Sequence, residues 1–235
     1  MSKKALILFF LLTSATLLRA QTFIPRAGIT ISTLQTDDFV REMDNKIQSQ
    51  SGFVIGLAYA IPIGTFAKGI FSLQPELSFI QKGFKVDASG DFAGSESYYH
   101  LTTQQEYTIN YLEIPVLAKY EFGSDKLRVA IQAGPSLAFG LGGKYKSTMR
   151  IRDEFEYDDT TNSEGDIRFY NSDETNTTSF DHNVDFGLQA GAGLTVLDHI
   201  SLDVRYGVSF TNINHEEKSK NRVLQISVGV PIRFN

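Results

Sequence analysis

The chain has 235 residues, no cysteine and a formal net charge of −5. Without cysteine it holds no disulfide framework, thiolate metal site or cysteine nucleophile, and the acidic balance argues against a general nucleic-acid surface, which needs a basic patch. A mean hydropathy of −0.14 is too polar for a bundle of membrane helices. A membrane β-barrel fits it, because only alternate residues of its strands meet lipid.

In chain order, the first element is MSKKALILFFLLTSATLLRAQ. Lys3 and Lys4 precede an apolar run centred on Ala5 to Leu12, and Ala20 stands before Gln21. This is the pattern of a secretory signal peptide, so residues 1–20 are expected to be a cleaved leader and 21–235 one barrel domain.

Eight stretches follow in which apolar residues alternate with small or polar ones, the two-residue period of a strand with unlike faces. The first, 23–32, sets Ala27, Ile29 and Ile31 against Gly28, Thr30 and Ser32. The second (52–63) and third (71–79) repeat the scheme with Phe53, Ile55, Leu57 and then Phe71, Leu73, Leu77. The fourth, 109–120, sets Leu112, Ile114 and Val116 against Glu113, Pro115 and Leu117. The fifth (127–141), sixth (184–196), seventh (200–210) and eighth (224–235) continue it, ending in LQISVGVPIRFN. Each is near the length that crosses a bilayer when tilted.

The two faces differ in kind. The apolar one is nearly free of charge. The other carries Gly, Ser, Gln and charges of both signs, which suits the filled interior of a narrow barrel better than the wet face of a sandwich or the apolar cup of a ligand-binding barrel. The gaps alternate as well: short near 64–69, 122–126 and 197–199, long at 33–51, 84–106 and 144–183, moderate at 212–221. Short turns at one end and long loops at the other are the arrangement of an outer-membrane barrel, turns periplasmic and loops extracellular. The fold expected is all-β: an eight-stranded antiparallel up-and-down transmembrane β-barrel. The long segment 144–183 is rich in Asp, Glu, Asn, Ser and Thr, and the alternation in KSTMRIRDEFEY suggests that the strands extend above the membrane.

LQPELSFIQKGFKV (73–86), YLEIPVLAKYEF (111–122), VAIQAGPSLAFGL (129–141), LDVRYGVSFTNI (202–213) and VLQISVGVPIRF (223–234) carry a resemblance over nearly the whole mature chain. The chain resembles the PorT-like outer-membrane β-barrel family of Bacteroidota, differing in that Asn235 follows the closing Phe234. The resemblance implies a place in the outer membrane, insertion by the barrel-assembly machinery, and a structural or interaction role of the kind found in secretion or envelope assembly. It identifies a fold family rather than an activity.

Eight charged residues fall on the inward face: Glu76, Glu113, Lys119, Arg128, Asp185, Asp203, Arg205 and Arg233. They are expected to form a polar network filling the lumen, since buried charges are stable only when paired, with Glu113 and Arg205 the first guess for members of one network. Tyr59, Tyr120 and Tyr206 lie toward strand ends on the lipid face, as interfacial belt residues do. Ser179, Asp181 and His182 cluster in sequence, but triad members converge by folding rather than by adjacency. No catalytic, cofactor or metal residues are expected, and DEFEYDD lacks the spacing and glycine of a calcium loop. The partners expected are outer-membrane lipid, the assembly machinery, and a protein at one face. The rival readings are an outer-membrane lipid-acting enzyme and a soluble ligand-binding barrel.

Overall fold

A computed structural model describes residues 21–36, 46–93, 98–153, 155, 157–169, 177–213 and 219–233, so the expected leader lies outside the described residues. The strands are β1 (Thr22–Gln35), β2 (Lys46–Phe66), β3 (Gly69–Ala93), β4 (Tyr98–Ser124), β5 (Leu127–Asp153), β6 (Asp158–Phe169), β7 (Thr177–Phe180), β8 (Val184–Val196), β9 (Ile200–Ser209), β10 (Lys220–Gly229) and β11 (Ile232–Arg233). Eight of them, β1 to β5 and β8 to β10, pair antiparallel with their neighbours, and β10 returns to β1 to close the ring. The fold is the all-β eight-stranded barrel, and closure leaves no open edge in the wall.

Pairing round the ring runs from Thr30 through Gln225, Arg205, Gly191, Gln132, Lys119 and Ser72 to Pro62. Pro62 lies two residues beyond Ala60, the partner of Thr22, so a circuit begun at position 30 returns at position 20, a stagger of ten. Such a stagger tilts the strands and sets the narrow bore of a small barrel. Every residue of that circuit up to Ser72 is on the inward face, which is why polar side chains gather at one level.

The alternation read from sequence becomes two environments. Outward Ile29, Ile55 and Ile131 are each more than half exposed, while inward Thr30, Ser32 and Gln74 are 2% exposed or less. Exposing an Ile, Leu or Phe side chain to water forgoes about 1.5–3 kcal/mol. A wall carrying dozens of them requires lipid around it.

The short-turn end is built from tight hairpins. Ala67 and Lys68 form the two-residue turn between β2 and β3, both left-handed with φ of 45° and 68°. This twist suits the flanking strands, but a side chain in that conformation costs about 1–2 kcal/mol per residue. Ala67→Asn combined with Lys68→Gly is therefore expected to stabilise the barrel by about 1 kcal/mol. The gain would be read as a higher temperature of conversion from the compact to the unfolded band on a gel.

At the other end the strands run on into the long gaps 84–106 and 144–183, as the alternation in KSTMRIRDEFEY suggests for the second of these. β3 and β4 remain paired to Ala93 and Tyr98, so most of 84–106 is a hairpin. Stacked pairs hold it, Phe84 on Tyr107 at 4.6 Å and Phe92 on Tyr99 at 5.4 Å. β5 runs on to Asp153 with β6 antiparallel beside it, and β7 lies parallel to β6. Arg150 donates from Nε and Nη2 to the Asp158 carboxylate, and this holds that carboxyl below its ordinary range. β6 and β7 also turn inward: Ile167 and Phe180 are buried with Val54, Ile80, Phe84, Ile109, Tyr111, Ile213 and Val223 in an apolar cluster across the long-loop end of the bore.

Candidate functional site

Below that apolar cluster the bore is filled by charges in three groups. At the centre stands Glu76 of β3. Arg205 of β9 donates to both its oxygens at 2.7 Å, and Arg26 of β1 donates to the same two at 2.9 and 3.1 Å. Gln74 adds a bond of 2.6 Å. Arg26 also donates to Ser227 of β10 and lies 3.6 Å from Asp203, which accepts from Gln132 at 2.6 Å. Two guanidiniums and two carboxylates balance here. The wall makes room by glycine: a Cβ on Gly191 would meet Val204 O at 2.2 Å and Arg205 Cγ at 2.8 Å, and one on Gly193 would meet Asp203 Oδ1 at 2.6 Å.

Toward the long-loop end, Lys82 of β3 bridges two carboxylates, Glu113 of β4 at 3.0 Å and Asp185 of β8 at 3.1 Å. Its ammonium also stands 5.0 Å from the centre of the Tyr111 ring. Gln189 donates to Glu113 at 2.9 Å and Asn221 to Asp185 at 3.0 Å. A cavity of about 20 Å³ remains between this group and Arg205, room for about one water.

At the short-turn end a third group is strung along the mouth. Lys119 and Arg128 pair with Glu121 at 2.9 and 3.1 Å; Arg128 and Arg233 share Asp198, the latter at 2.8 Å. Lys119, Glu121, Arg128 and Arg233 line part of an open vestibule of about 610 Å³, whose other wall is Ile24, Ala60, Pro62, Ile63 and Ile70.

The expected eight thus divide. Glu76, Asp203 and Arg205 meet at the centre, Glu113 and Asp185 in the upper group, Lys119 and Arg128 in the mouth. Arg233 is at the rim with its side chain 45% exposed, not inside the bore. Glu113 and Arg205 are not bonded to each other: Lys82 takes the carboxylate and Glu76 takes the guanidinium. Arg26 and Lys82 were missed. Arg26 shares the inward parity of Gly28 and Thr30, a signal present in the sequence, whereas Lys82 lies past the expected end of its strand at Phe79.

Of the belt tyrosines, Tyr120 donates to Phe66 O at 2.9 Å and Tyr206 bonds Arg222 at 3.2 Å; Tyr59 stacks edge-on with Phe23 at 5.1 Å. Ser179 is exposed on β7. Among the described residues no three His, Cys, Asp or Glu side chains are grouped to hold a metal ion.

The outer membrane protein beta-barrel domain family matches in sequence over residues 20–215. No curated protein matches. Solved structures similar to this chain include the attachment invasion locus protein Ail of Yersinia pestis (11% identity, 91% of this chain and 99% of that one, TM-score 0.39). Neisserial surface protein A is similar at 13% identity, over 90% of this chain and 97% of that one, with a TM-score of 0.36. OprG of Pseudomonas aeruginosa is similar at 12% identity, over 92% and 97%, also with a TM-score of 0.36.

Proposed function

Because the chain belongs to the outer membrane protein beta-barrel domain family, we propose that this integral outer-membrane protein is a closed, non-conducting barrel that works through interaction. Its setting would be a secretion or envelope assembly of the PorT-like kind, reached by a cleaved leader and the barrel-assembly machinery. The observation that carries this reading is the filled bore. The cavity between the central and upper groups has room for about 20 Å³, and an apolar cluster lies across the end above them. An aqueous path would have to break buried ion pairs at several levels, each costly. Outside the membrane, the paired β3–β4 and β5–β6 extensions offer a rigid surface to a partner.

Purified protein reconstituted into planar bilayers is expected to give no stable conductance steps. Regular porin-like openings would sink the proposal. In cells, the protein is expected in the outer-membrane fraction, running faster unboiled than boiled, with Gln21 as the N-terminal residue. A lipid-acting enzyme would instead release fatty acid from, or transfer it between, outer-membrane lipids added to the reconstituted protein.

A further inference from the structure

The open mouth at the short-turn end has two unlike walls. One is a chain of charges in which Lys119 meets Glu121, Glu121 meets Arg128, Arg128 meets Asp198, and Asp198 meets Arg233. Three cations thus share two carboxylates, and a cation stands at each end of the chain. Asp125 lies on the exposed turn between β4 and β5 and bonds none of them among the described residues. Arg233, at the rim, has water to screen it. Lys119 is 7% exposed and lacks that relief. Its ammonium carries three N–H donors, and Glu121 at 2.9 Å is its one partner among the described residues. Ser72 faces it across the β3–β4 ladder, also buried, with a hydroxyl that bonds no other group among the described residues. Both residues line the vestibule.

The opposite wall is aliphatic. Ile24, Ala60, Pro62 and Ile70 face inward by parity, and a bulge between Pro62 and Gly64 adds Ile63 to the lining. Barrel rims use such bulges to re-aim a side chain. Ile63 is 62% exposed, and Ile70, 37% exposed, faces the bore, where membrane lipid does not cover it. The volume of about 610 Å³ between the walls is within the range of small-molecule sites.

Resting on the outer-membrane reading above, which turns this end toward the periplasm, we propose that the vestibule binds a fatty acid, a single-chain amphiphile with one negative charge. Its carboxylate takes the spare donors of Lys119 and Ser72 and supplies the third carboxylate for the three cations. Its alkyl chain lies along Ile24, Ile63 and Ile70. Bonds between ionised partners are the strong ones. A peptide fits less well, because its backbone amides would meet an aliphatic wall without partners, and unpartnered amides are costly to bury. The filled bore beyond stops the ligand from passing further, so the site binds without conducting.

The test uses the mature chain in phosphatidylethanolamine nanodiscs, labelled with a diazirine-bearing fatty acid and mapped by mass spectrometry. Saturable labelling is expected on peptides carrying Ile24, Ile63 and Ile70. Decanoate is expected to displace it at least about tenfold more effectively than decanol or decyltrimethylammonium, the size of one charge-assisted bond. Lys119→Gln is expected to remove that advantage, while Lys119→Arg keeps it. Ile63→Glu, at an exposed position, sets a like charge beside the ligand and is expected to abolish the labelling. Equal displacement by decanoate and decanol overturns the proposal, even if Lys119→Gln fails to fold. So does labelling confined to the lipid-facing wall, or an unchanged response in a folded Lys119→Gln or Ile63→Glu protein. A short apolar peptide with a free carboxylate that displaces the label better than decanoate would make the ligand a peptide instead. Orientation is read separately. Ile63→Cys, in a chain with no cysteine of its own, is expected to react with a membrane-impermeant maleimide only after the outer membrane is opened. Reaction in intact cells, or recovery of the protein as soluble, refutes the outer-membrane reading beneath. A periplasm-facing thiol without carboxylate preference refutes this site alone.

Discussion

Glu76→Gln is expected to destabilise the barrel by about 3–5 kcal/mol, the cost of removing one partner from a buried ion pair. Glu76 accepts from two guanidiniums, with side-chain exposures of 1–2% throughout. An amide in its place leaves Arg26 with only Asp203 at 3.6 Å and Arg205 with no carboxylate partner at hydrogen-bond distance. Arginine cannot shed its proton in any usable range, so acid or base does not rescue this variant. The chain has no tryptophan, so the loss would be followed by far-ultraviolet circular dichroism during urea unfolding in micelles. Replacing both members, as in Glu76→Leu with Arg205→Met, is expected to recover part of it, because the pair leaves together. A Glu76→Gln protein within 1 kcal/mol of the parent would mean that this centre is hydrated rather than buried.

Lys82→Met is expected to cost about as much, about 3–5 kcal/mol, but with a response to acid that Glu76→Gln lacks. The lysine serves Glu113 and Asp185 together. Its removal leaves two buried carboxylates within reach of one missing ammonium. A carboxylate, unlike a guanidinium, can be neutralised by a proton, so the deficit of the Lys82→Met barrel should shrink as the pH is lowered from 8 toward 5. Comparing urea midpoints of parent and variant across that range decides it. A deficit that is constant or grows with acid would show that the two carboxylates are not what the lysine compensates.

How much of this was legible in the sequence depends on which force set each feature. The transmembrane parts of all eight strands stood out because lipid on one side and a crowded bore on the other impose a two-residue period, as in Phe71, Leu73 and Leu77 against Ser72, Gln74 and Glu76. Above the membrane that contrast fades. KGFKVDASGDFA reads as turn-like and polar, yet it continues β3, held by backbone pairing and by the Phe84–Tyr107 stack, which depends on a residue 23 positions away. The inward position of Glu113 and Arg205 follows from parity. Their partners do not, because a charge in a narrow bore chooses among strands across the lumen, and the stagger of ten decides which of them arrive at its level. Arg233 has the right parity but stands past the break at Pro231, where β11 pairs again with the first residues of β1 at the open mouth, so its side chain is half exposed.

The pairing of β1 with β10 joins the two ends of the chain, and Arg26 of β1 reaches across that join to Ser227 on β10 and onward to Asp203 on β9 and Glu76 on β3. Closing the wall and neutralising the interior are therefore a single event. Opening the cylinder at its seam would strand a guanidinium and two carboxylates at once, so intermediate shapes are penalised from both directions. Persistence of the folded protein then becomes a matter of rate, set by one steep barrier rather than by gradual fraying, and the molecule would outlast conditions in which its equilibrium stability is modest.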